Sequence, residues 1–170
     1  MSTIVALPQP SHSSFLRAQV LFTEFNGQSA PTLHSLASGQ AQLDNGWERP
    51  LSAITLGEFV HINAPLPGYL MAGRRGWIKL KVVSPEGGIY LPSTRQKLAV
   101  DFSRKILERL AGVKDDIANN RTHHSYTRPD VSGVDPRLTI EGVELRELRL
   151  LALQWYGDSN VAVAVLGLSL

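Results

Sequence analysis

The side chains best equipped for chemistry crowd together in one stretch, where His123, His124, Tyr126, Arg128 and Asp130 follow one another closely. Imidazoles move protons near neutral pH, a carboxylate can orient them, and a guanidinium can hold an anion. A small hydrolase or transferase using His123, His124 and Asp130 is therefore one expectation. The spacing argues against it: adjacent histidines on an extended segment point to opposite sides, and no His-x-x-x-His or Glu-x-x-His pattern accompanies them. His12, His34 and His61 are scattered. With no cysteine in the chain, disulfides, thiolate zinc sites and a cysteine nucleophile are excluded. No Gly-x-Ser-x-Gly elbow, Gly-x-x-x-x-Gly-Lys loop or Gly-x-Gly-x-x-Gly fingerprint occurs. Hydrogen-bonding loop residues are the better reading of the histidine group, and no catalytic residue, metal or cofactor is assigned.

The second group is Gly73-Arg74-Arg75-Gly76-Trp77, followed by Lys79 and Lys81. A glycine-bounded turn can present two guanidiniums and an indole at one exposed spot, to stack on a base, grip phosphate or dock on acidic protein. The plainer reading is a solvated hairpin turn with Trp77 tucked into the sheet. Charge distribution adds weight to the interaction reading. The net charge is only +2, yet Gly73 to Leu110 holds nine basic residues, Arg104 and Arg109 among them, against Glu86, Asp101 and Glu108. Residues 1–72 carry Arg17 and Arg49 against Glu24, Asp44, Glu48 and Glu58, a balance of −2. Such asymmetry attracts acidic protein or phosphate.

These residues need a scaffold, and one segment supplies its clearest element. From Ser93 to Gly112, Leu98, Phe102, Ile106 and Leu110 recur every fourth residue, which predicts an amphipathic helix. Ser93 and Gln96 fit a capping box, and Gly112 stands where a left-handed cap ends a helix. Around it the pattern is strand-like. Phe15 to Phe25 alternates with Leu16, Ala18, Val20 and Phe22 on one side, and short strands are expected near Leu33 to Leu36 and Gln40 to Leu43. Phe59 to Asn63 alternates, as do Gly76 to Val83 and, with Gly73 to Gly76 as the turn, a partner strand at Tyr69 to Ala72. Ile89 to Leu91 is a further short strand. The final segment is compatible with either period, but Gly157-Asp158-Ser159-Asn160 before an unbroken apolar run favours a terminal hairpin.

The fold expected is α+β: a mainly antiparallel β-sheet or small sandwich with one principal helix, about 93–112, packed on it. Residues 1–170 form a single domain, with 1–14 an extended arm and 113–137 a long loop. Long structureless loops tend to be functional or to lie on a partner, which makes 113–137 the first candidate for contact. Neither a signal peptide nor an apolar run of membrane-spanning length is evident, so a cytoplasmic protein, or one assembled into a particle made there, is expected. The function expected is that of a non-enzymatic structural or assembly subunit contacting protein subunits, a homo-oligomer or larger assembly; a phage tail or contractile machine is one setting for such an adaptor, terminator or tube-like part. Its interaction residues would be Arg74, Arg75, Trp77, Lys79, Lys81, Arg104, Arg109, His123, His124, Tyr126 and Arg128. A nucleic-acid binder using the basic region 73–110 is the alternative. Trp47, Trp77 and Trp155 are expected as core or interface anchors.

Overall fold

The computed structural model describes residues 4–7, 15–27, 29–54, 57–65, 70–71, 77–121, 126–127, 133, 135–157 and 161–169, with 70–71 and 126–127 described as backbone. The fold is α+β: a mainly antiparallel mixed sheet carries one long helix on its inner face. Strands β1 (Ile4–Ala6), β2 (Leu16–Leu21), β3 (Phe59–Asn63), β5 (Ile78–Lys81), β9 (Leu148–Tyr156) and β10 (Val161–Ser169) build the main sheet. They run in the order β2-β9-β10-β3-β5, with β1 on β10. β4 (Leu70–Met71) pairs with β8 (Tyr126–Thr127), and β6 (Val83–Glu86) with β7 (Ile89–Pro92).

The terminal segment is the antiparallel hairpin β9–β10. Its choice of strand over helix follows from what the two strands bury together: Trp155 stands opposite Ala162 and Leu153 opposite Ala164, large against small, all fully inside. Helical spacing would have split these pairs. β10 is central, with β9 along one edge. Its other edge is shared, β3 pairing in parallel at residues 161–163 and β1 antiparallel at residues 167–169. The segment 1–14 thus contributes a short strand, and Leu7 beyond it is buried.

Two helices pack on this sheet. α2 runs from Arg95 to Ala118, longer than the stretch ending at Gly112. Leu98, Phe102, Ile106 and Leu110 are buried as their spacing requires, and Val113 and Ile117 continue the stripe on the core side. Gly112 lies on the exposed side, where a helical glycine costs about 1 kcal/mol relative to alanine. Packing of Val113 and Ile117 outweighs that cost, so the helix takes up residues expected to open the loop. Asn119 caps it, its side chain donating to the Asp115 carbonyl at 2.8 Å.

The start of α2 also differs in detail. Thr94, rather than Ser93, is the N-cap, accepting from the Lys97 amide at 3.2 Å. Gln96 does not reach back to the cap. Its Oε1 accepts from the Leu43 amide at 2.9 Å and its Nε2 donates to the Ala41 carbonyl at 3.0 Å, tying a distant loop to the helix.

The strand expected near Leu33 to Leu36 is instead helix α1 (Leu33–Ala37), capped by Thr32 on the Ser35 amide at 3.0 Å. Leu33 and Leu36, three apart, both face the core, which a strand could not arrange. Residues 40–43 form no strand; Leu43 makes an isolated bridge to Glu24. The turn expected at Gly73 to Gly76 lies outside the described residues; among those described, β4 pairs with β8 and β5 with β3. The alternation in β5 holds. Ile78 and Leu80, with Val82 beyond the strand, are buried, and Lys79 and Lys81 are exposed. Gly87 and Gly88, at φ 58° and 85°, make the tight β6–β7 turn whose twist suits a two-residue hairpin.

Candidate interaction surface

Of the sequence-derived interaction residues, the structure brings Trp77, Lys79 and Lys81 onto one surface. β3 and β5 pair so that Phe59 faces Lys81 and His61 faces Lys79. Val60, Ile62, Ile78 and Leu80 point into the core, so the alternate residues form the opposite, outer face. There the Lys79 ammonium lies 4.2 Å from the centre of the Phe59 ring. The Lys81 ammonium is 5.6 Å from the Tyr90 ring on β7, and the rings of His61 and Trp77 are 6.3 Å apart, tilted by 57°. Trp77 is half-buried here.

Arg104 and Arg109 sit on α2, away from that face. Arg104 is exposed and donates from Nε to the Ala37 carbonyl at 3.0 Å, closing the end of α1. Arg109 is half-buried. Arg74, Arg75, His123, His124, Arg128 and Asp130 lie outside the described residues, as does the side chain of Tyr126. The proposed hydrolase group, with residues 122–125, 128–132 and 134 of the segment 113–137, therefore lies outside the described residues. Among the described residues, no cluster of three or more metal-binding side chains forms, and no helix is long and apolar enough to cross a membrane.

A second surface was not singled out as a site in the sequence. Trp47 is 77% exposed, unlike Trp155, which is fully buried. The segment that carries Trp47 is pinned from both sides. Arg95 donates to the Glu48 carboxylate and to the Leu21 carbonyl, at 2.7 and 2.8 Å, and its own amide donates to the Glu48 carbonyl. Arg49 reaches the Glu86 carboxylate at 2.7 Å and also donates to the Pro92 carbonyl. Trp47, Glu48, Arg49, Pro50 and Ser52 line an open cleft. Beyond it the β6–β7 hairpin exposes Ile89 by 60% and Tyr90 by 65%. The sequence signal was Trp47 itself, a large aromatic set among turn formers; nothing local marked it as outward.

Electrostatic perturbation is concentrated elsewhere. Arg137 hydrogen-bonds the Asp135 carboxylate through its side chain, at 2.7 Å, and through its backbone amide, at 2.9 Å. These bonds hold the Asp135 carboxyl below the usual carboxylate range, and the same side-chain bond raises the Arg137 guanidinium. Arg137 is exposed and Asp135 partly so, and the pair fastens a turn rather than building a reactive centre. Comparison of the chain with protein-family models, with curated proteins and with solved structures finds no match in any of the three.

Proposed function

We propose that this chain is a non-enzymatic assembly subunit that docks on a protein neighbour through the surface around Trp47. The observation that carries the reading is the exposed indole on a segment braced by Arg95 and Arg49. An unsupported surface tryptophan is ordinary, but one held on a fixed backbone has already lost the freedom that binding would otherwise cost. Tryptophan is also among the residue types that dominate interface energies. Ile89 and Tyr90 extend the apolar area, and Arg49, Glu48 and Glu86 supply a polar rim. A homo-oligomer is the simplest assembly of this kind, and a ring or tube-like component of a phage tail or contractile machine is one setting for it.

The test is native mass by light scattering across a concentration series. The expected result is a discrete multiple of the chain mass that returns to monomer in Trp47→Ala, a variant with little effect on folding because the side chain is outside. A wild-type monomer at every concentration, or an oligomer indifferent to Trp47→Ala and Ile89→Asp, overturns the reading.

A further inference from the structure

We propose that the outer face of β3 and β5, with Tyr90 beside it, binds single-stranded nucleic acid, phosphates on Lys79 and Lys81 and bases on the aromatic rings. This goes beyond docking at Trp47 and rests on different residues except Tyr90, which borders both surfaces.

The first argument is charge. The outward residues of β3 and β5 are Phe59, His61, Asn63, Lys79 and Lys81, with Trp77 next in line, and none is acidic. Neither lysine has a carboxylate partner among the described residues. Each ammonium instead stands over a ring, Lys79 on Phe59 and Lys81 on Tyr90. A third cation, Lys105, reaches the same strand edge, donating to the Lys79 carbonyl at 2.7 Å. Glu86, the nearest acidic residue on the β6–β7 hairpin, is held by Arg49.

The second argument is spacing. Same-face residues on a strand stand about 6.8 Å apart, close to the interval between successive phosphates of an extended single strand. Lys79 and Lys81 follow one another along β5 while Phe59 and His61 lie beside them on β3, so a row of cations runs next to a row of rings, as a phosphate backbone runs beside its bases. A cation on a ring face is a weak and reversible partner, so a phosphate can draw each lysine aside. Phe59 and Tyr90 then offer free faces on which bases stack without sequence preference. An acidic peptide would use the lysines and leave the rings idle. Duplex is disfavoured because its bases are already stacked and a broad sheet face does not enter a groove.

The experiment is fluorescence anisotropy of labelled oligothymidylate and oligouridylate, about 12 nucleotides long, against the full chain at about 50 and 200 mM salt. Binding is expected to weaken about sevenfold between those salts, the slope for two phosphate contacts on a single strand. Lys79→Glu with Lys81→Glu should abolish it, and Lys79→Gln with Lys81→Gln should flatten the salt slope. The glutamine pair covers the case in which charge reversal unfolds the strand. Phe59→Ala should weaken binding about fivefold or more with the salt slope unchanged, the mark of a lost stack. Circular dichroism verifies folding in each variant. The proposal is overturned by no binding at the lower salt, by binding insensitive to the lysine pairs, by an unaltered affinity in Phe59→Ala, or by equal competition from polyglutamate, which would make acidic protein the partner.

Discussion

Lys105 on α2 donates its ammonium to the backbone carbonyl of Lys79, 2.7 Å away, on β5 at one edge of the main sheet. Arg95, at the start of the same helix, does the equivalent at the opposite edge, donating to the Leu21 carbonyl of β2 at 2.8 Å. One helix thus reaches both edges of the sheet formed by the described residues. Unpaired edge carbonyls are templates for pairing with another chain, and a charged donor on one of them blocks that ladder.

Removing the cover at β5 tests this device. Lys105→Met keeps the apolar stem and deletes the donor, so the loss of stability should be small, about 0.5–1.5 kcal/mol. Its larger expected effect is faster aggregation, read by static light scattering during a temperature ramp. An onset unchanged from wild type would show that the Lys105 contact does not guard the edge.

Two glycines should respond oppositely to alanine. A Cβ at Gly142 would sit 2.0 Å from the Pro136 carbonyl oxygen and 2.8 Å from its carbon, both backbone atoms that cannot swing aside. Gly142→Ala should cost about 1–3 kcal/mol or more. At Gly112, inside α2, nothing lies within 4 Å. Gly112→Ala should stabilise by about 0.5–1 kcal/mol by removing backbone freedom from the unfolded chain. Urea unfolding of the two variants checks both signs.

Gln96 uses donor and acceptor at once, on Ala41 and Leu43. Gln96→Glu keeps the acceptor but sets a carboxylate against the Ala41 carbonyl, and Gln96→Ala removes both bonds. Each should cost about 1–3 kcal/mol. Amide hydrogen exchange at Leu43 reads the effect directly: protection should fall in both variants, and unchanged protection would mean the tie is dispensable.

Asp135 supplies the pH-dependent case. Its folded carboxyl titrates below the unfolded value because Arg137 hydrogen-bonds it. The stability it contributes is therefore present above the unfolded carboxylate pKa and is lost as pH falls through the lowered folded value. Asp135→Asn should make the melting temperature less steep with pH on the acid side, below the unfolded carboxylate pKa of about 3.9. Parallel curves for variant and wild type would contradict this.

Legibility followed the range of the interactions involved. The stripe Leu98, Phe102, Ile106 and Leu110 and the alternation Ile78, Leu80 against Lys79, Lys81 are periodic, and each residue went to the side its period assigned. Gln96 misled because a capping-box residue three places from Ser93 has the same local pattern whether it turns back to the cap or outward to a loop far along the chain. Gly112 misled because a stop signal is weighed against packing that sequence does not display. The basic face was half legible: Trp77, Lys79 and Lys81 were in view, but Phe59 and His61 join them only through the β3–β5 register, and Tyr90 only through the β6–β7 hairpin.

By itself the sequence determined the α+β class, the existence of α2 and the terminal hairpin, because hydrophobic period and turn residues act within a few positions of the chain. It also determined that no cysteine chemistry is available. Tertiary structure alone decided that β10 takes β1 and β3 on one edge, that Leu33 and Leu36 enter the core from a helix, and that Trp47 faces outward while Trp155 is sealed inside. Each of those outcomes turns on which distant surfaces meet, and burial is a property of the meeting rather than of the residue.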